Sequence, residues 1–571
     1  MENDRIRPLL VNIYGEERSA SLYGRLQQLL GKFRSRLPKT NAQNLSERDS
    51  ILITYPDQVQ ETNRPPLESL TDFCKSHLKD VVSGIHILPF YPWSSDDGFS
   101  VIDYRAVNPQ YGDWDNIREL GKHFQLMFDA VINHISVQSE WFQGFLNTDA
   151  RYVNYFIPVD GNPDLSLVVR PRALPLLTTF ETKAGDKNVW TTFSSDQVDL
   201  NYQNPDVLLE ILDILLFYVS QGARFIRLDA IAYMWKEIGT PSIHLPQTHW
   251  IIQLFRAVLD EVAPHVMLIT ETNVPHADNI SYFGNGSDEA QMVYNFSLPP
   301  LVLHAFQTGS AEKLSRWAES LHLPSKKVTF FNFLASHDGI GLNPLRDILS
   351  AQEIKGVVDR VLAHGGLVSF KSESDGTKRP YELNINYFDA LNDPASDDPL
   401  DLQVERFVTA HAILLAMVGL PGIYFHSLFG SRGWPEGVTQ TGRNRTINRM
   451  KFIKAELETR LMDPTSREAH VLNRLSHLLK VRASSSAFHP YGSQNVLHVA
   501  PGVFGLLRSS PDGKNHVLCL HNVSERSVVL DSQNISAFEQ FSEQPIDIIS
   551  GNKIQSNHPL TIQPYQSLWI K

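Results

Sequence analysis

Eight short apolar, β-branched runs recur between residues 51 and 425, separated in most cases by segments of helical period, and this alternation constrains the fold more than any other feature. The runs are ILITYPD (51–57), GIHILPFYP (84–92), LMFDAVINH (126–134), FIRLDAIA (225–232), MLITETN (267–273), MVYNFSLP (292–299), VTFFNFLASHD (328–338) and GIYF (422–425). PDVLLEILDILLFYVSQGA (205–223) and THWIIQLFRAVLDEVAP (248–264) carry the helical spacing. A strand joined to the next through a helix returns parallel to it, and parallel strands are buried on both faces. Eight such units predict an α/β fold, a (β/α)8 TIM barrel.

Two stretches break the pattern. Residues 135–204, with VVRPRALPLL and VWTTFSSDQVDLNY, read as an inserted subdomain after the third strand, dividing the catalytic barrel into 49–134 and 205–480. From 481 to 571, short alternating segments such as NVLHVAPGVFGLLRSS and LTIQPYQSLWIK read as a C-terminal antiparallel β domain. Residues 1–48, with SASLYGRLQQLLGKFRSRL, read as an N-terminal helical extension.

Composition removes several classes of function. A net charge of −12 with scattered basic residues argues against a duplex nucleic acid or an anionic membrane as partner. Two cysteines, Cys74 and Cys519, are too few for a disulfide framework or a thiolate metal site and suit a reducing compartment. The segment MENDRIRPLLVNIYGEE lacks a signal-peptide apolar core, and the apolar run 412–425 is short and broken by Pro421. These features are read as a cytoplasmic protein.

Within FIRLDAIA, Arg227 and Asp229 are charges in a run that otherwise asks for a core. Residues two apart share a strand face, so the pair projects together near the strand's C-terminal end, where barrel active sites are built. Glu271 stands at the end of the fifth run, His337 and Asp338 at the end of the seventh, and Asp129, Asn133 and His134 in the third. Convergent carboxylates are costly to bury unless chemistry needs them. They suit retaining glycosyl transfer, in which an ionised carboxylate attacks and a protonated one donates. Asp229 is the better nucleophile, because Arg227 favours its charged form; Glu271, with no basic neighbour in sequence, can keep its proton. Taken alone, Arg227 and Asp229 read equally well as an ion pair bracing the barrel.

RLDA (227–230), TETN (270–273), SHDG (336–339) and DAVINH (129–134) resemble the four characteristic regions of the α-amylase family of retaining glycosidases. The resemblance implies Asp229 as nucleophile, Glu271 as acid and base, and Asp338 as the acid that holds the sugar hydroxyls. It makes His134 and His337 hydroxyl ligands and Arg227 the residue that orients Asp229. GIHILPFYPWSSDDGFSVIDY (84–104), RPRALP (170–175), VWTTFSSDQVDLN (189–201), FSLPPLVLHA (296–305), ASHDGIGL (335–342) and GRNRTINR (442–449) are most similar to the sucrose phosphorylase branch. That branch transfers glucose to phosphate and yields α-D-glucose 1-phosphate, with inorganic phosphate as co-substrate and no cofactor. The resemblance gives Arg172 as the phosphate ligand, and Asp96 with Arg443 or Arg449 as the glucose clamp. Phe99 and Phe193 would shield the site from water, and Tyr233, Gln197 and Glu382 join the substrate-binding residues.

Asn133 raises the question of calcium, which many amylases bind near the matching residue; no oxygen-ligand loop of calcium type is evident, and no metal is expected. YELN (381–384) replaces the YQVN typical of sucrose phosphorylases, and the long extension before Ile51 is similar to relatives acting on glucosylglycerate and glucosylglycerol. Because Glu382 would repel an anionic acceptor, 2-O-α-D-glucosylglycerol is the favoured glucoside. Glucosylglycerate, then sucrose or sucrose 6-phosphate, follow. A hydrolase or transglucosidase, and an inactive sugar-binding relative, are the other classes. The partners expected are a small sugar and phosphate, with the protein a monomer or homodimer.

Overall fold

The computed structural model describes residues 4–37, 44–172, 174–372, 378–531, 537, 541, 544–555 and 558–571. Parts of the expected N-terminal extension (1–3 and 38–43) and of the C-terminal domain, and Ala173 within RPRALP, lie outside them.

The eight apolar runs supply eight parallel strands: β1 (Ile51–Thr54), β2 (Gly84–Ile87), β3 (Gln125–Ala130), β4 (Ala223–Leu228), β5 (Met267–Thr270), β6 (Met292–Tyr294), β7 (Thr329–Asn332) and β8 (Leu420–Tyr424). They close in sequence order, with β8 returning to β1. The strands are shorter than the runs. Apolar residues beyond each strand continue into the loops that form the barrel's mouth, so Asp229 and Glu271 each stand one residue past a strand end. His337 and Asp338 lie in the loop beyond Asn332, and His134 opens a separate short strand, His134–Ser136.

That short strand pairs antiparallel with Gln197–Asp199, so the inserted segment is tied to the mouth at both of its ends. Between them it forms an antiparallel hairpin of Leu177–Thr182 with Gly185–Trp190. A three-stranded antiparallel sheet of Ile340–Gly341, Lys378–Asn384 and Leu367–Ser372 lies over the mouth between β7 and β8; the sequence pattern does not predict it. Beyond the barrel, Ser493–Ala500, Val503–Ser509, His516–Asn522 and Ser567–Ile570 form an antiparallel four-stranded sheet.

Two helices, Ile6–Tyr14 and Glu16–Arg34, precede β1. Their leucine stripe, Leu10, Leu22, Leu26 and Leu30, is buried in the same hydrophobic core as the barrel. They rest on the helices that follow β3's insertion and β4, Pro205–Ser220 and Pro246–Val262. Arg5 pairs with Asp260 at 2.8 Å, Arg25 with Asp206 at 2.5 Å, and the Tyr14 hydroxyl donates to the Tyr202 carbonyl at 2.8 Å. No described helix is long and apolar enough to cross a membrane.

Candidate active site

A small pocket of about 90 Å³ opens at the C-terminal mouth of the barrel. Asp96, Phe99, His134, Arg172, Phe193, Gln197, Asp229, Glu271, His337, Asp338 and Glu382 line it. Asn273, Phe296 and Tyr381, which the sequence does not single out, also line it, as does Arg445.

Three of the predicted residues stand elsewhere. Arg227 lies behind the wall, 1% exposed, where it holds the carboxylates. Tyr233 packs edge-on against Phe193, ring centroids 5.5 Å apart, and so buttresses the wall. Arg443 is half exposed and reaches only Asp97, at 3.8 Å. Arg449 is the buried member of that pair: its Nε donates to the His337 carbonyl at 2.8 Å, and its guanidinium pairs with Asp97.

Arg227 organises the acids. Its β-ladder partner on β3 is Asp129, which pairs with Nη1 and accepts from His86 Nε2 at 2.8 Å. The same Nη1 donates to Asp229 Oδ1 at 2.8 Å, whereas Glu271 Oε2 stands 3.8 Å from Nη2. Glu271 Oε2 also accepts from the Ala230 amide at 3.1 Å. Ala230 holds a left-handed backbone, φ +48°, which turns this amide toward Glu271 immediately after Asp229.

Arg227 favours the charged form of Asp229, as the sequence suggested, but it does not prevail. Burial raises the pKa of Asp229; Arg227 opposes, and Glu271, Asp129 and Asp338 add to the rise. The Arg227 guanidinium is also divided among Asp129, Asp229 and Glu271. Burial raises Glu271 as well, with Arg227 again opposing. Two such acids titrate together, and the direct bond at 2.8 Å favours the anion on Asp229 and leaves the proton on Glu271.

Asp338 behaves differently. Although burial raises its pKa, Arg445, His337 and Arg449 draw it below the usual carboxylate range. The Arg445 Nη1 to Asp338 Oδ1 distance is 2.5 Å. His337 stacks on Phe99 with centroids 4.8 Å apart, and burial pushes its imidazole down to about 3, so it is neutral near pH 7. Burial lowers His134 too, and its Nε2 donates to the Phe99 carbonyl at 2.8 Å. The Gln197 amide bridges the Phe99 carbonyl, at 3.0 Å, and Asp96, at 3.3 Å.

Arg172 Nη2 donates to Asp96 Oδ2 at 2.8 Å and the guanidinium lies 5.8 Å from the Phe193 ring centroid. Against burial, Arg172 and Arg445 hold Asp96 below the usual range. Glu382 is not an unopposed charge, as the sequence suggested. Arg445 grips it with a fork, Nε to Oε1 at 3.0 Å and Nη2 to Oε2 at 2.6 Å, and Glu382 is 2% exposed. Gly339 makes room for this: a Cβ there would lie 2.5 Å from Glu382 Cγ. Asn133, the residue that raised the question of calcium, accepts from the buried Lys236 Nζ at 2.8 Å.

A profile for the α-amylase catalytic domain matches residues 76–340. Glucosylglycerate phosphorylase of Allomeiothermus silvanus is 50% identical, covering 98% of this chain and 96% of the relative. Glucosylglycerate phosphorylase of Escherichia coli K12 is 46% identical over 99% of this chain and all of the relative. Glucosylglycerol phosphorylase of Marinobacter adhaerens is 28% identical over 76% of this chain and 87% of its own. Among solved structures, sucrose 6F-phosphate phosphorylase from Thermoanaerobacter thermosaccharolyticum covers 92% of this chain and all of its own, with a TM-score of 0.73 at 24% identity, a likeness of fold. With a closed parallel barrel, acids gathered at its mouth and relatives of this similarity along the whole chain, the protein belongs to the α-amylase family, in its branch of glucoside phosphorylases.

Proposed function

We propose that this protein is a retaining phosphorylase of a glucosylglycerate, converting it reversibly with phosphate to α-D-glucose 1-phosphate and glycerate. The observation that carries the acceptor is the gap in similarity: glucosylglycerate phosphorylases match at 46–50% over nearly the whole chain, the glucosylglycerol enzyme at 28% over 76%. The preference for glycerol rested on the charge of Glu382, which the Arg445 fork offsets.

Asp229, bound to Arg227 through Oδ1, attacks C1 of the glucosyl group with Oδ2. The bond from C1 to the glycerate oxygen breaks, and the Glu271 proton passes to that oxygen. Hydrogen phosphate then attacks C1 of the glucosyl ester, freeing Asp229, and its proton returns to Glu271. Asp338, held anionic by Arg445, suits the cationic sugar of both transition states. Arg172 offers a planar guanidinium to the entering phosphate.

An acceptor screen with α-D-glucose 1-phosphate as donor, read by phosphate release, tests the reading. Glycerate is expected to give the highest kcat/KM, above glycerol and fructose. No phosphate release with glycerate would overturn it.

A further inference from the structure

Arg445 belongs to the run GRNRTINR, in which three arginines lie within eight residues, and the fold selects it for the pocket wall. A guanidinium has five N–H donors. Arg445 donates two to Glu382, from Nε and Nη2, and its Nη1 stands 2.5 Å from Asp338 Oδ1 as an ion pair. The fork on Glu382 occupies the side edge of the guanidinium and leaves its terminal edge, formed by Nη1 and Nη2, without a hydrogen bond to Glu382. Two parallel N–H groups on such an edge match the two oxygens of a carboxylate.

The other guanidinium in the pocket wall is that of Arg172, where Nη2 is engaged by Asp96. The remaining charged groups of the wall, Asp96, Asp229, Glu271, Asp338 and Glu382, are acids. An acceptor with its own carboxylate therefore enters a pocket rich in negative charge and needs a donor edge to repay its desolvation. Glu382 supplies the fixed geometry for one. By occupying the side edge of Arg445 with both oxygens, it prevents the guanidinium from turning about its axis. The close approach at Gly339 keeps Glu382 in place.

We infer that the terminal edge of Arg445 receives the carboxylate of the acceptor, and that Glu382 is the positioning residue that presents this edge. The inference rests on the glycerate reading above and assigns the groups that make the choice. Glu382 acts through Arg445, so its charge does not serve to repel anions.

The test compares glycerate with glyceramide, which has the same hydroxyls and an amide in place of the carboxylate. With α-D-glucose 1-phosphate as donor, the ratio of kcat/KM for glycerate to that for glyceramide is measured in wild type, Arg445→Gln and Glu382→Gln. Hydrolysis of α-glucosyl fluoride in each protein reports any general loss caused by the contact of Arg445 with Asp338. The wild-type ratio is expected to exceed about tenfold and to fall about tenfold or more in Arg445→Gln, the value of one charge-assisted hydrogen bond. It should fall about two- to tenfold in Glu382→Gln, through a higher KM for glycerate.

A wild type that does not use glycerate would refute the proposed function and this assignment with it. A wild type that prefers glycerate, with the ratio unchanged in both variants, would leave the function standing and overturn the assignment. A ratio that rises in Glu382→Gln would show that Glu382 repels the acceptor and would refute its positioning role. Should Arg445→Gln fail to fold, Arg445→Lys replaces it: the charge stays, the planar edge is lost, and the same fall is expected.

Discussion

The ammonium of Lys236 lies 2.8 Å from Oδ1 of Asn133, in a position 2% exposed at the side chain. Its second partner is Asp199 Oδ2 at 2.7 Å, and Asp199 also accepts from the Thr192 amide and hydroxyl, at 2.8 and 2.6 Å. One buried cation thus joins the loop after β3, the strand that returns from the insertion, and the segment after Asp229.

Lys236→Met should therefore destabilise the fold by about 3–5 kcal/mol, because Asp199 is left buried without its counter-charge. Denaturant unfolding measures the loss, and Lys236→Met with Asp199→Asn should recover part of it. With their oxygens already satisfied by an ammonium, Asn133 and Asp199 have little left for a divalent ion, and EDTA should leave wild-type turnover unchanged. Loss of activity on chelation, restored by calcium, would contradict this.

Asp229→Asn should abolish transfer while stabilising the protein. The amide cannot form the ester, so kcat should fall by at least about 10³-fold. Burial sets the folded-state pKa of Asp229 above its ordinary value of 3.8. The folded protein then binds more protons than the unfolded one, and stability declines as pH rises from the unfolded pKa toward the folded pKa. An amide escapes that penalty. Tm at pH 7 should rise by about 1–3 °C, and the gain should vanish below about pH 4. A lower Tm at pH 7 would mean that the bond to Arg227 outweighs burial.

Glu271→Gln should slow glucosides with poor leaving groups far more than α-glucosyl fluoride, whose departure needs little proton transfer. Since burial raises the pKa of Glu271, the basic limb of the wild-type profile should stand above the ordinary carboxylate range. In the variant, the fluoride reaction should lose that limb. Equal losses with both donors would remove Glu271 from the acid role.

Arg172→Ala should raise the KM for phosphate by about 10–100-fold, one charge-assisted bond being worth about 1.5–3 kcal/mol. Hydrolysis of the glucosyl ester should persist. An unchanged phosphate KM would place phosphate against Arg445 or Arg449 instead.

What the sequence conveys depends on whether the information is local. Each barrel strand leaves an apolar run of its own, and a charge at the end of such a run is visible one residue at a time, as with Asp229 and Glu271. The pKa of Asp229 is not local. It depends on Asp129, 100 positions away and adjacent only through the β3–β4 ladder, which takes its share of Arg227. Glu382 shows the same limit: its charge is legible, while its partner lies 63 residues later among arginines that look alike in sequence. Arg443 and Arg449 are separated only by the turn at Asn444–Asn448, which exposes the first and buries the second. The sheet of Lys378–Asn384 escaped notice because half of its residues are polar and one edge strand is two residues long.

The two N-terminal helices have a further consequence, for the order in which the protein is made. They rest on Pro205–Ser220 and Pro246–Val262, and the last residue of the second leaves the ribosome about 230 residues after Arg34. At roughly 5–20 residues per second, these helices wait about 10–45 s for the whole of the surface they rest on. During that interval Leu22, Leu26 and Leu30 present an apolar face on the nascent chain, available to a holding chaperone or to a neighbouring nascent chain on the same message. Docking of this arm can therefore be complete only after β4 and the helix that follows it have been translated.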